Sequence, residues 1–366
     1  MYKHHNKLAH HAVKNEYPDT EVLVSTEVSP IASLGAKMLS NLTLHSEFNR
    51  YVDAMHAILT HKGWISCPKY MLAGMTALCF RFTVQRQLDS VSTTAYNWMA
   101  EHFLAADFIG ISASQDAGFH FMATFPLYQQ QGINEIKASI NDGTGVILWK
   151  DAFVVVTGYD DSRAELYYCD GTEAALSEPA EHLKHMKAIP YAQLGYNDSP
   201  YWYFQSFGER SNELDELSVY KESFLQAIYV WETHDPMLPE DEYACGQQAY
   251  DAIVKALQTG DYDQEAAREV VRYYAAAKKD IALYTTALQS IWPNLQPVAA
   301  QYAKVAQYFA QATAVLRGTH EQVTDSQQLL VSWFEEAKAA EGQAIQMLKE
   351  RLLETVHNRF NHVGLR

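Results

Sequence analysis

Glycine is spread unevenly along this chain, and that imbalance restricts the fold more than any other single feature. Twelve of the 17 glycines fall between Gly35 and Gly208, and none occurs from Asp261 to Arg317. Glycine favours turns and weakens helices, so the first part reads as turn-rich and the last as helical. Side-chain periodicity agrees. Leu217, Tyr220, Phe224, Ile228 and Trp231 recur at spacings of three and four, as one buried helical face requires. After a break at His234 to Pro239, a second stripe runs through Val271, Tyr274, Lys278, Ile281, Tyr284 and Leu288. Tyr302, Val305, Phe309, Ala312 and Leu316 form a third, and Leu330, Phe334, Ala337, Glu341, Ile345, Leu348 and Leu352 a fourth. With a shorter helix near Gly246 to Leu257, the pattern predicts about five helices joined by short connections, an antiparallel all-α bundle. The stripes share no motif, which excludes a tetratricopeptide-type array.

The N-terminal part mixes elements. Phe48, Tyr51, Val52, Met55, Ile58 and Leu59 predict a helix that ends before Gly63, and a second helix is expected over Thr94 to Ala106. Gly145 to Lys150, Phe153 to Tyr159, Glu165 to Cys169 and Tyr201 to Phe207 are rich in Val and aromatic residues and read as strands. Asp160 to Arg163 is hairpin-turn chemistry between two of them. The expected organisation is a flexible segment over residues 1–20, an α+β domain over 21–210 and the helical bundle over 211–366.

Charge narrows the partners. The formal net charge is −16, from 44 acidic and 28 basic side chains. A nucleic-acid phosphate backbone needs a cationic surface, and so does an anionic membrane, so neither is an expected partner. Leu104 to Ala113 and Val146 to Val156 are the longest apolar stretches, and each is interrupted by charge well short of the roughly 20 residues that span a bilayer. Met1 to Asn15 is rich in His and Lys, unlike a secretory signal. Cys67, Cys79, Cys169 and Cys245 form no CxxC pair, which reads as reduced, cytoplasmic thiols.

Common catalytic signatures are missing. There is no phosphate loop, GxGxxG, HExxH or GxSxG, which argues against nucleotide hydrolysis, zinc peptidase chemistry and the usual serine hydrolase elbow. His4, His5, His10 and His11 lie in a polar terminus. His182 and His185 sit at i, i+3, but a closed zinc site needs four ligands. No metal or cofactor is therefore expected. Between Gly63 and Phe82, Cys67 precedes Pro68, which suits the first turn of a helix whose N-terminus would stabilise a thiolate. A structural or surface thiol is the other reading of Cys67, and Cys79 reads as a small core residue.

The run Asn141 to Asp161, with Gly145-Val146-Ile147 and then Phe153-Val-Val-Val-Thr-Gly-Tyr-Asp-Asp161, resembles the second half of papain-like cysteine-peptidase domains. It is most similar to the bacteriocin leader-peptide peptidases and the N-terminal acyltransferase domain of butirosin biosynthesis protein H. The likeness covers roughly residues 45–175 and leaves the helical C-terminal part outside. It implies a papain-like α+β domain, a helical lobe followed by an antiparallel sheet. In that superfamily the nucleophile is a cysteine opening the first core helix. The corresponding turn here is near Asn49-Arg50-Tyr51, and no cysteine occurs from Met1 to Ser66. The base is a histidine opening the second strand, where this chain has Ala152 after Asp151. Asp170 matches the third member, and before Gly171 it is equally a turn residue.

Three readings follow. The first is a catalytically degenerate papain-like protein whose former cleft binds a small molecule or peptide, with Tyr51, Trp149, Asp151 and Asp170 as its expected lining and Arg81 as a further candidate. The second is a thiol acyltransferase or amide hydrolase using Cys67 or Cys79, with His120 as base. The third is a scaffold docking a partner through the acidic bundle, which requires exposed aromatics such as Trp202 or Trp333.

Overall fold

The run Phe153 to Asp160 forms the central strand of a sheet, buried on both faces except at its last residue. That burial is what its unbroken apolar sequence requires. The structure is a computed structural model that describes residues 35–45, 47, 50–171, 186–211, 214–317 and 326–352. The expected flexible segment 1–20 and the histidines at 4, 5, 10, 11, 182 and 185 lie outside the described residues, as does Asn49.

The sheet strands are Ala36–Met38 (β1), Ile111–Phe119 (β3), Val146–Trp149 (β4), Phe153–Asp160 (β5), Glu165–Cys169 (β6), Lys187–Pro190 (β7) and Tyr201–Arg210 (β8). Thr83–Gln85 (β2) pairs apart from them, antiparallel to Tyr243–Cys245 (β9). In the main sheet the order is β3-β8-β4-β5-β6-β7, with β1 beside the far end of β5. Every pairing is antiparallel. The expected turn between β5 and β6 is present: Asp160 accepts from the backbone N–H groups of Ser162 and Arg163.

Helices cover both faces. Arg50–His61 (α1), Lys69–Met75 (α2), Trp98–Phe108 (α3) and Phe125–Asn141 (α4) belong to the first 210 residues. Alternation along β8 sorts two of them. Trp202 and Phe204 point to α4, where a Cβ on Gly132 would stand 3.1 Å from the Phe204 ring. Tyr203 and Gln205 point the other way, to His102 of α3. Trp202 is buried between Phe125 and Phe204, and Trp333 is half-buried against the core. Neither supplies the exposed aromatic surface expected of a scaffold.

The five helices expected after residue 210 are present as Glu216–Glu232 (α5), Gln247–Thr259 (α6), Gln264–Ala287 (α7), Gln296–Leu316 (α8) and Gln327–Leu352 (α9). Asp215 and Asp263 cap α5 and α7 by accepting from backbone N–H groups in the first turn. The α8 helix packs against both α7 and α9. Its neighbours enclose a buried charge pair: Lys278 Nζ lies 2.7 Å from Glu341 Oε2, and Tyr250 donates to the same carboxylate. Such a pair is tolerated inside because each charge has its partner.

Residues on the N-terminal side of position 210 are embedded among these helices. Phe82 packs edge-on against Tyr250 and Tyr274, with ring centroids 4.8 and 4.7 Å away. Phe80 meets Phe224, Tyr284 and Tyr302. At Gly74, any side chain would enter the ring of Tyr284, so α2 and α7 approach closely only because that residue is glycine. Burying a phenylalanine is worth about 2–3 kcal/mol, and these rings join both halves into one continuous core. No helix among the described residues is long and apolar enough to cross a membrane.

Candidate functional site

The residues singled out by the papain resemblance do come together at one end of the sheet. Tyr51 opens α1 and meets Phe153, the first residue of β5, at a ring-centroid distance of 5.5 Å. Cys169 pairs with Val155, so Asp170 follows at that same end of the β5–β6 ladder. Trp149 pairs with Phe153 across β4 and β5.

What fills that corner is a closed aromatic and polar network. The Tyr51 ring stacks on His102, with centroids 3.4 Å apart and planes 5° from parallel. Phe153, Tyr203 and Trp98 surround the same imidazole. Tyr51 donates to Gln205 Oε1 at 2.7 Å. Gln205 donates to the His102 carbonyl and to Gln115 Oε1, and Gln115 donates to the Met99 carbonyl. Tyr203 gives its proton to Gln115 Oε1, so its oxygen accepts from His102 Nδ1 at 2.9 Å. His102 Nε2 is then the acceptor of the Tyr96 hydroxyl, also at 2.9 Å. Both ring nitrogens are engaged and the imidazole is neutral. Burial, with a smaller contribution from Arg81, pushes its pKa well below the ordinary value. Among the described residues, the one fully buried histidine is therefore not a free base, and its ring nitrogens are bonded to tyrosines rather than to a thiol.

The remaining expected residues have other work. Asp151 adopts φ +57° in the three-residue connection from β4 to β5, where Lys150 N–H bonds the Ala152 carbonyl. Its carboxylate accepts from Asp198 N–H at 2.8 Å and pairs with Lys150. It is a turn residue, one of the few types that tolerate this conformation. Asp170 pairs with Lys187 at 2.5 Å and precedes Gly171, whose φ is +73°. Cys67 is half-buried just before α2, and burial raises its pKa rather than lowering it. Cys79 is fully buried and raised further. His120 lies between Tyr196, Phe121 and Phe125 on the β3–α4 connection. No hydrogen bond among the described residues joins it to either cysteine.

Arg81 leads somewhere else. It sits directly before Phe82, 8% exposed, with its guanidinium carbon 3.7 Å above the Tyr96 ring. Its Nε lies 3.3 Å from Glu101 Oε2, close enough to attract but not aligned as a hydrogen bond. Arg81 also lies close enough to Tyr273 to oppose the rise that burial causes in that phenol's pKa. Its Nη1 has no partner among the described residues, an uncommon state for a buried donor. Burial lifts the Glu101 pKa to about 8, against the pull of Arg81. Burial likewise opposes the Arg81 charge, but Glu101 and the neighbouring tyrosines hold it protonated.

Both side chains line a cavity of about 150 Å³. Its walls come from the β2 approach (Phe82, Thr83), the start of α3 (Asn97), the end of α5 with the following loop (Tyr229, Val230, Thr233 to Met237) and Cys245 of β9. Exposed Met237 and Pro236 stand at its rim. His234 donates through Nε2 to the Leu238 carbonyl, leaving its buried Nδ1 without a partner. Among the described residues, no group of three or more His, Cys, Asp or Glu is placed to hold a metal ion.

Of the five expected lining residues, the cavity takes only Arg81. Sequence reasoning missed Glu101, His102, Tyr96 and His234. A usable signal was present: Arg81 and Glu101 are isolated opposite charges in otherwise apolar runs, and such charges are buried only in pairs. The sequence matches no protein-family model and no curated protein.

Proposed function

We propose that this chain is a catalytically degenerate papain-like protein, carrying an antiparallel C-terminal helical bundle, that binds a small molecule without turning it over. The observation that supports it most is a pairing of opposites. At the catalytic corner of the papain resemblance, Tyr51 and His102 form a fully bonded stack with no thiol. Beside it, a cavity is lined by the buried Arg81–Glu101 pair and by apolar Phe82, Val230, Pro236 and Met237. The binding site is thereby moved from the former cleft to the cavity behind Tyr96. Four free cysteines with no disulfide suit the reducing interior of a cell.

The test is a thermal-shift screen of small polar molecules against the wild-type chain and Met237→Trp, which plugs the rim. Compounds that raise the melting temperature of the first and not the second support the reading. A screen with no such compound, or turnover of a thioester or amide substrate, contradicts it.

A second reading has its own observation. Phe119, Phe121, Met122, Leu127, Tyr128 and Tyr196 are exposed around the β3–α4 connection, an apolar surface suited to a protein partner or a second copy. Sedimentation of wild type and a Phe121→Ser, Leu127→Ser variant distinguishes the cases. Identical monomers would count against self-association.

A further inference from the structure

We infer that the cavity beside Arg81 takes a small uncharged molecule, its hydrocarbon part seated between Phe82, Val230 and Met237 and its polar end left in solvent at the rim. The inference rests on the ligand-binding reading above and names the chemical class of that ligand.

The walls present carbon because their polar groups are spent on the protein itself. Thr83 donates its hydroxyl to Cys245 Sγ at 3.7 Å, and Thr233 donates to the Tyr229 carbonyl. Asn97 Oδ1 accepts from the Ala100 N–H at 3.1 Å as the cap of α3. Arg81 and Glu101 are paired with each other. The two lining atoms that lack a partner, Arg81 Nη1 and His234 Nδ1, are closed off by the protein around them, so a molecule in the cavity does not touch them. What a ligand meets is mainly the carbon of Phe82, Val230, Pro236 and Met237. About 150 Å³ holds one group of roughly benzene size, so the hydrocarbon part is a single ring or a branched chain of that bulk.

The rim is built the same way. Beyond α5, Asp235 accepts from the Met237 N–H at 2.9 Å and His234 Nε2 donates to the Leu238 carbonyl at 2.8 Å. These bonds fix a tight loop that holds Met237 at the opening, 61% exposed. Its unbranched thioether adapts to the shape it covers, which suits closure over a bound hydrocarbon.

Charge is what the cavity refuses. A carboxylate would face Glu101 and Asp235, both on the walls. An ammonium would face Arg81, with only Asp235, already bonded to the Met237 N–H, to set against it. An ion that leaves water without a full partner loses more than the burial of one ring returns.

Isothermal titration of the full chain at about pH 7, with three compounds on one ring skeleton, tests this: benzyl alcohol, benzoate and benzylamine. Benzyl alcohol should bind with a negative heat-capacity change, the mark of apolar burial, and the two ions at least about tenfold more weakly. Met237→Trp, a rim change that spares the core, should abolish binding, and Met237→Ala should weaken benzyl alcohol about fivefold. If either ion binds as tightly as benzyl alcohol, and Met237→Trp blocks both, the uncharged class is overturned while the ligand-binding reading stands. If Met237→Trp leaves benzyl alcohol bound, the molecule sits elsewhere and the inference is overturned. If none of the three binds the wild-type chain, the class assignment falls, and the ligand-binding reading falls with it only when the thermal-shift screen is empty too.

Discussion

Two neighbouring regions of this molecule share a tyrosine and differ in almost everything else. Tyr96 turns its hydroxyl to His102 and its ring face to Arg81. On the hydroxyl side, Tyr51, His102, Tyr203, Gln205 and Gln115 satisfy one another completely. On the ring side, Arg81 keeps a donor unbonded, Glu101 is held near neutrality and a cavity opens. A satisfied buried network specifies a structure and does little else. A cavity lined by a buried ion pair, by contrast, leaves space in which a ligand can be held. The proposed reading accordingly places the ligand away from the corner where the papain resemblance would look for it.

The largest effect should come from breaking the closed region. His102→Ala removes a stacked ring, leaves the Tyr96 hydroxyl without its acceptor and takes from Tyr203 the donor to its oxygen, so urea unfolding should show a loss of about 3–5 kcal/mol. A loss below about 1 kcal/mol would mean the network is not what holds α1 and α3 to the sheet.

Next in size are the opposite pH responses of the two regions. Glu101 has a raised folded pKa, so its contribution is fully present below the unfolded value near 4.5 and is lost as pH rises through about 8. His102 has a depressed folded pKa, so its contribution is present above 6.5 and is lost as pH falls below it. Unfolding free energies at pH 5, 6.5 and 8 should therefore show Glu101→Gln gaining on wild type toward pH 8, by about 2 kcal/mol. Half-buried Asp280, lifted to about 6 by desolvation, acts in the same direction as Glu101, so the variant reduces the wild-type slope without abolishing it. His102→Phe should gain on wild type only toward pH 5. Parallel pH profiles for the two variants would erase the distinction between the regions.

Thiol chemistry gives a smaller, sharper test. Iodoacetamide should leave the folded chain unlabelled up to about pH 8 and reach the half-buried Cys67 and Cys169 before the buried Cys79 and Cys245 above it, the Cys67 pKa being raised by burial. A cysteine that reacts below about pH 7.5 would restore the acyltransferase reading. The smallest stability effect belongs to Met237→Trp, within about 0.5 kcal/mol of wild type because Met237 is exposed. A large destabilisation there would show that the cavity rim is part of the core.

Much of the fold was legible in side-chain period. The five C-terminal helices and strands β4, β5, β6 and β8 follow from apolar residues at helical or alternating spacing. The missed elements explain themselves. Strand β3, Ile-Ser-Ala-Ser-Gln-Asp-Ala-Gly-Phe, has few β-branched residues and holds its place through pairing with β8 along most of its length. Helix α4 begins at Phe125-Pro126 and contains Gly132, unfavourable for a helix but required where Phe204 and Trp202 press in. Strands β1, β2, β7 and β9 have three or four residues each, too few to show a period. The site was less legible. Tyr51, Trp149 and Asp170 were expected to line a cleft; they lie at one end of the sheet, and only three-dimensional packing reveals that Tyr51 is locked against His102. The helix Trp98-Met-Ala-Glu-His-Phe-Leu-Ala-Ala-Asp-Phe108 is apolar on nearly every side. Its two buried polar residues, Glu101 and His102, serve different regions, and no linear pattern separates them.

The central claim is that ligand enters beside Arg81 and leaves the Tyr51–His102 stack undisturbed. A crystal soaked with a bromobenzyl alcohol and measured at the bromine edge tests it directly. The account predicts a bromine peak in the cavity between Phe82 and Met237. A peak against Tyr51, His102 or Phe153 would contradict it.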